Sequence, residues 1–236
     1  MDYYYSNKDK NQTPSLLGRV GVGIKVCGMN KNTTEVATLK PDYLGFIFWE
    51  PSKRYFDGKM PSIPHRIKKV GVFVDASILE ITEKVETYGL LLAQLHGKET
   101  PAFCDELKKA VPQIKIIKVF SIKDNFDFGQ LKHFEDVCDY YLFDTKGKLP
   151  GGNGYAFNWG ILKNYPSTKP YFLSGGIGLE EIDSIKEFMN RPESAYCAVI
   201  DVNSKFEDAP GLKNIEKLKK FKKSLTDNRQ LKTDNE

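Results

Sequence analysis

The chain has 236 residues, 40% hydrophobic and 28% charged, with a formal net charge of +4, which suits one α/β barrel and is too apolar for a disordered chain. No apolar run approaches the roughly 18 residues of a membrane span, and the first segment, MDYYYSNKDKNQTPS, lacks a signal peptide's apolar stretch, so a cytoplasmic protein with no membrane partner is expected. The four cysteines (Cys27, Cys104, Cys138 and Cys197) are scattered without a C-x-x-C pair, against a zinc site and against a disulfide framework.

Beyond a polar N-terminal arm (1–22), expected to be disordered, short β-branched and aromatic runs alternate with amphipathic stretches, the rhythm of repeated βα units. Eight strands are predicted: Ile24–Cys27, Tyr43–Phe48, Lys69–Val74, Leu91–Leu95, Ile114–Phe120, Tyr140–Asp144, Tyr171–Ser174 and Ala198–Val202. The helices predicted between and after them are Thr33–Leu39, Ala76–Tyr88, Thr100–Val111, Phe126–Val137, Asn158–Leu162, Leu179–Met189 and Asn214–Leu225, while the segment 61–66 is too short to assign. The lysine-rich last helix reads as a packed helix with a solvated face; it lacks the interleaved aromatics of a single-strand binder, so no nucleic-acid partner is expected. A doubly wound sheet would carry G-x-G-x-x-G after its first strand, where this chain has CGMNKN. The expected architecture is therefore a single (β/α)8 TIM barrel over 23–225, followed by a polar tail (226–236).

In such a barrel, function sits at the C-terminal ends of the strands. Cys27 ends the first strand, and the alternation of IKVC puts it on the face of Lys25, opposite Ile24 and Val26. To act as a base its thiol needs a nearby cation or amide dipoles that lower its pKa; the bland alternative is an inert buried cysteine. Arg54, after the second strand, suits a bidentate clamp on a carboxylate or simple exposure. His96 ends the fourth strand at the rim. Asp144 follows the apolar run YYLF, where poor solvation favours a proton donor; a helix cap or a partner for Lys146 is the other reading. Glycines cluster after the sixth strand (Gly152, Gly154) and the seventh (Gly175, Gly176), and with the eighth strand's exit (Asp201, Ser204) they suit a phosphate. A helix from Leu179 would add its dipole there. The three histidines form no metal-ligand spacing.

In order, the motifs IKVCGM (24–29), DYLGFIFWEPSKRY (42–55), VGVFVD (70–75), QLHG (94–97), LFDTK (142–146), GGNGYAFNW (151–159), SGGI (174–177) and AVIDVNS (198–204) resemble the phosphoribosylanthranilate isomerase family over roughly 23–224. The resemblance implies Cys27 as general base, Asp144 as general acid, Arg54 on the anthranilate carboxylate and glycine-rich exits on the phosphate. It also implies an Amadori rearrangement needing no metal or organic cofactor, on a phosphorylated small-molecule substrate. Monomer and homodimer are both compatible with the sequence. Two departures stand out: Asn158 occupies a position usually held by aspartate, and Lys205 one usually held by glycine. Related phosphate-binding barrels would place lysine or aspartate at position 27, and a barrel without activity, serving as a binding module, is the rival from another class.

Overall fold

The computed structural model describes residues 21–122, 125–145 and 158–226. Eight parallel strands close into a barrel in chain order: β1 (Gly23–Val26), β2 (Tyr43–Ile47), β3 (Lys68–Phe73), β4 (Leu92–Leu95), β5 (Lys115–Ile122), β6 (Tyr140–Thr145), β7 (Tyr171–Leu173) and β8 (Cys197–Val202). Closure is made by β1 against β8, in a register that sets Lys25 beside Asp201 and Val26 beside Val202.

The period-two alternation of each strand divides its side chains between two cores. Tyr43, Val70, Leu92, Leu142, Phe172 and Val199 pack at the barrel axis. Two residues further along the same strands stand Gly45, Val72, Gln94, Asp144, Ser174 and Asp201, so the interior turns from apolar to largely polar on approaching the mouth. The opposite faces, among them Val26, Leu44, Phe46, Phe143 and Ile200, are buried in the outer core that includes the helices.

Among the described residues five α-helices surround the strands: α1 (Thr33–Thr38), α2 (Ile78–Tyr88), α3 (Pro101–Ala110), α4 (Ile182–Met189) and α5 (Ile215–Thr226). Local chemistry sets their ends. In α2 the Glu80 N–H donates to Ser77 Oγ at 3.2 Å, the Ser77 N–H donates to Glu80 Oε2 at 2.8 Å, and Gly89 stops the helix at φ 60°. In α3, Thr100 caps and Pro101 takes the first turn, where its missing N–H costs nothing. α5 buries Leu218 and Phe221 and exposes Lys217, Lys219, Lys220 and Lys223, as expected, while Lys222 Nζ donates to Leu39 O at 2.6 Å.

Three expectations are corrected, and the segment left unassigned is resolved. Phe126–Val137 and Asn158–Leu162 form not α-helices but 3₁₀ turns, at Phe128–Phe134 and Trp159–Asn164. The crossover after β2 has no regular helix over 61–66, where Pro61 and Pro64 remove two backbone donors. α4 starts at Ile182 rather than at Leu179, because the Gly178 N–H donates to Glu181 Oε2 at 2.6 Å in a turn that precedes the helix. Unforeseen is a small antiparallel pair after β8, β9 (Glu207–Ala209) with β10 (Leu212–Lys213). The N-terminal arm and C-terminal tail, apart from residues 21, 22 and 226, lie outside the described residues, as do Gly152 and Gly154. Among the described residues no helix is long and apolar enough to cross a membrane.

Candidate active site

An open cavity lies at the C-terminal mouth of the barrel. Cys27, His96, Asp144 and Asp201 line it from β1, β4, β6 and β8; Arg54 enters from beyond β2, and Gly175, Gly176 and Ser204 close the side of β7 and β8. All the candidate site residues that fall within the described chain thus meet in one place.

Cys27 is buried, its N–H donating to Val202 O at 2.9 Å. The neighbouring strand makes room for it: a Cβ on Gly45 would stand 2.8 Å from Cys27 Sγ and 3.1 Å from Lys25 Cε. Gly28 follows with φ +71°, and a Cβ there would meet Arg54 Cδ and Asn203 Oδ1, each at 2.7 Å. The cation expected beside the thiol is Lys25, yet the net effect on Cys27 is upward. Burial raises its pKa most; Lys25 opposes, Asp201 adds to the rise, and Lys213 weakly opposes. Burial therefore favours the thiol, and Lys25 alone does not supply the lowering that a base requires.

Beneath Cys27 lies a polar layer. Lys25 has no exposed surface, and its Nζ donates to Asp201 Oδ2 and to Gln94 Oε1, both at 2.6 Å. Burial works against the Lys25 charge, but Asp201 and Cys27 outweigh it and hold the ammonium above its ordinary pKa. Burial pushes Asp201 up, against the pull of Lys25 and Lys213. Asp201 Oδ1 is buried and has no hydrogen-bond partner among the described residues, on a residue that lines the cavity. Gln94 Nε2 lies 3.5 Å from His96 Nδ1, and His96 Nε2 lies 3.6 Å from Asp144 Oδ2. His96 is held down at about 4, by burial first and then by the charges of Lys25 and Lys118, so it is neutral at neutral pH and that last contact is not an ion pair.

Arg54 lines the cavity but its fork is turned to Glu207: Nε donates to Oε1 and Oε2 at 2.9 Å each and Nη2 to Oε2 at 2.7 Å. Lys213 Nζ adds a 2.7 Å contact to Glu207 Oε1. Burial alone would raise Glu207, and these two cations bring it below its ordinary value instead. The β9–β10 pair positions both partners.

The two ends of the cavity differ in character. Ile47, Trp49, Val72 and Val74 form an apolar wall on β2 and β3. Across the mouth, Gly175 and Gly176 adopt φ of 95° and 67°, a left-handed backbone that favours glycine, and Ser204 and Lys205 stand beside them. Lys205 lies in the 3₁₀ turn Ser204–Phe206 without a positive φ, so the loop does not demand glycine there. At the other departure, the Asn158 side-chain oxygen accepts from the Gly160 N–H at 2.9 Å, capping the turn with a neutral amide. Among the described residues no group of three or more His, Cys, Asp or Glu is arranged to hold a metal.

Lys25, Gln94, Trp49 and Glu207 were not among the sequence candidates. For Lys25 and Gln94 the signal existed, since alternation places each on the inner face of its strand. The Arg54–Glu207 pair spans 153 positions and left no local trace.

The model of the family described as N-(5'phosphoribosyl)anthranilate (PRA) isomerase matches residues 24–224. A relative from Parabacteroides distasonis called N-(5'-phosphoribosyl)anthranilate isomerase is 43% identical over 207 residues, 84% of this chain and 90% of the relative. The crystal structure of phosphoribosyl anthranilate isomerase from Thermus thermophilus superposes with a TM-score of 0.75 at 24% identity, over 88% of this chain and all of that one. A phosphoribosyl anthranilate isomerase solved in complex with reduced 1-(o-carboxyphenylamino)-1-deoxyribulose 5-phosphate gives 0.70 at 24% identity, over 87% and 99% of the two chains.

Proposed function

Because the chain belongs to the N-(5'-phosphoribosyl)anthranilate isomerase family, we propose that Cys27 and Asp144 are the base and the acid of its reaction. The protein is an aldose–ketose isomerase of tryptophan biosynthesis. It converts N-(5'-phosphoribosyl)anthranilate to 1-(o-carboxyphenylamino)-1-deoxyribulose 5-phosphate by an Amadori rearrangement. The observation that carries the assignment is that strand ends β1 and β6 present a thiol and a carboxyl to one cavity with an apolar wall on one side and a glycine-rich turn on the other.

Asp144 gives a proton to the furanose ring oxygen, the bond from that oxygen to C1 breaks, and the aniline nitrogen's lone pair forms an iminium. The iminium acidifies the C2 proton, which the Cys27 thiolate removes; the electrons of that bond form C1=C2 and return the iminium pair to nitrogen. The enolamine then gains a proton at C1 and loses one from the C2 hydroxyl, giving the amino ketose. Burial favours the thiol form of Cys27, and the positive charge that Asp144 generates on the substrate favours the thiolate instead, the thiol's proton leaving to solvent through the open mouth before the C2 proton is taken.

The substrate's ring lies against Ile47, Trp49, Val72 and Val74, with its carboxylate toward Arg54. The phosphate sits at Gly175 and Gly176 with Ser204 and Lys205, and the unpartnered oxygen of Asp201 accepts from a sugar hydroxyl near neutral His96. The catalytic unit is the barrel over 23–225, working in a reducing cytoplasm with its four thiols free. Freshly made phosphoribosylanthranilate added to purified protein should lose its fluorescence at an enzymatic rate. No turnover by well-folded protein would sink the enzyme assignment.

A further inference from the structure

A lysine ammonium with no solvent contact survives only where its three donors are met and its charge is balanced. In Lys25 two donors go to Asp201 Oδ2 and Gln94 Oε1. The thiol of Cys27, which follows on the same face of β1, is the third neighbour of the ammonium, and both side chains crowd the same point on β2, Gly45. The hold on Gln94 fixes more than that residue. With Oε1 committed to Lys25, the amide nitrogen faces His96 Nδ1 at 3.5 Å, so Nδ1 accepts and the ring proton sits on Nε2, 3.6 Å from Asp144.

We propose that Lys25 is a positioning residue for both ends of the reaction: its ammonium favours the thiolate of Cys27 directly and, through Gln94, sets the His96 tautomer that faces Asp144. The proposal rests on the roles given above to Cys27 and Asp144. Three charged groups act on the thiol, Lys25 from β1, Asp201 from β8 and Lys213 from β10, while Arg54 stands beyond Gly28 and β2 offers Gly45. Lys25 is the strongest of the cations, and removing it also leaves Asp201 unneutralised, so both changes disfavour the thiolate.

The test reads the thiol itself. The pH dependence of Cys27 alkylation by iodoacetamide, followed by peptide mass mapping, gives a midpoint that turnover does not enter. In folded Lys25→Met the midpoint should rise by about one unit or more, with kcat at neutral pH down about tenfold or more and KM within about threefold. An unmoved or lowered midpoint would overturn the proposal. The second arm needs no variant: nitrogen-15 shifts of His96 in the wild-type protein should report the Nε2–H tautomer, and Gln94→Leu should lose that preference with a fall in kcat rather than a rise in KM. An Nδ1–H ring in the wild type would equally overturn it. Full turnover by Cys27→Ser would refute the underlying assignment while leaving the alkylation midpoints as they stand, so the two readings fail separately.

Discussion

At the scale of single residues, the proposed base and acid, Cys27 and Asp144, should carry the rate and little of the stability. Cys27→Ser and Asp144→Asn change one or two atoms each in a cavity that is already open, so kcat should fall by orders of magnitude while the melting temperature moves by only a few degrees. A variant with near wild-type kcat would remove its residue from the mechanism. His96 makes a different prediction. Its pKa is held at about 4 against the ordinary 6.5, so between those values the unfolded chain binds a proton that the folded protein refuses. The associated stability is complete above about pH 6.5 and is lost as pH falls toward 4, up to about 3 kcal/mol. Urea midpoints at pH 7 and pH 4.5 should therefore differ more for the wild type than for His96→Asn, and equal differences would count against a buried neutral ring. Cys27, Asp144 and His96 were legible because each ends a strand. The Arg54–Glu207 pair was not, because nothing in either local run points to the other. The lowering that a thiol base requires is likewise opposed by the desolvation that depth imposes, a cost that no local pattern states.

At the scale of elements, all eight strands lie within two residues of their predicted bounds, since alternation between two buried faces leaves a strong mark. The crossovers were read less well. A run of spaced apolar residues marks a side of a helix without telling 3₁₀ from α when it spans only two turns, and Asp127 and Asn158 each cap a tight turn there. β2 shows what a strand owes its neighbour. Gly45 weakens the strand but leaves the notch that receives the Cys27 and Lys25 side chains. Gly45→Ala should force the thiol aside, lowering kcat about tenfold or more and costing about 1–3 kcal/mol of stability. A crystal structure of the variant should show a shifted Sγ; an unshifted Sγ with normal turnover would mean the notch has no role.

At the scale of the whole molecule, the barrel is closed by its first and last strands, and the polar layer is assembled across that seam: Lys25 on β1 is neutralised by Asp201 on β8. A chain truncated after Tyr196 keeps seven of the eight strands together with Cys27 and Asp144. It should nonetheless show no cooperative thermal transition and no turnover, because β1 and β7 are left with unpaired edges and Lys25 with an unbalanced charge. A folded, active truncation would contradict this account of the seam. The same seam sets the moment at which the protein becomes useful. A ribosome building this chain has emitted Cys27 and Asp144 well before Val202, whose carbonyl fixes the Cys27 backbone. The nascent chain therefore carries both proposed reactive groups long before they can be brought together, and substrate can meet an assembled site only after synthesis has passed the last strand.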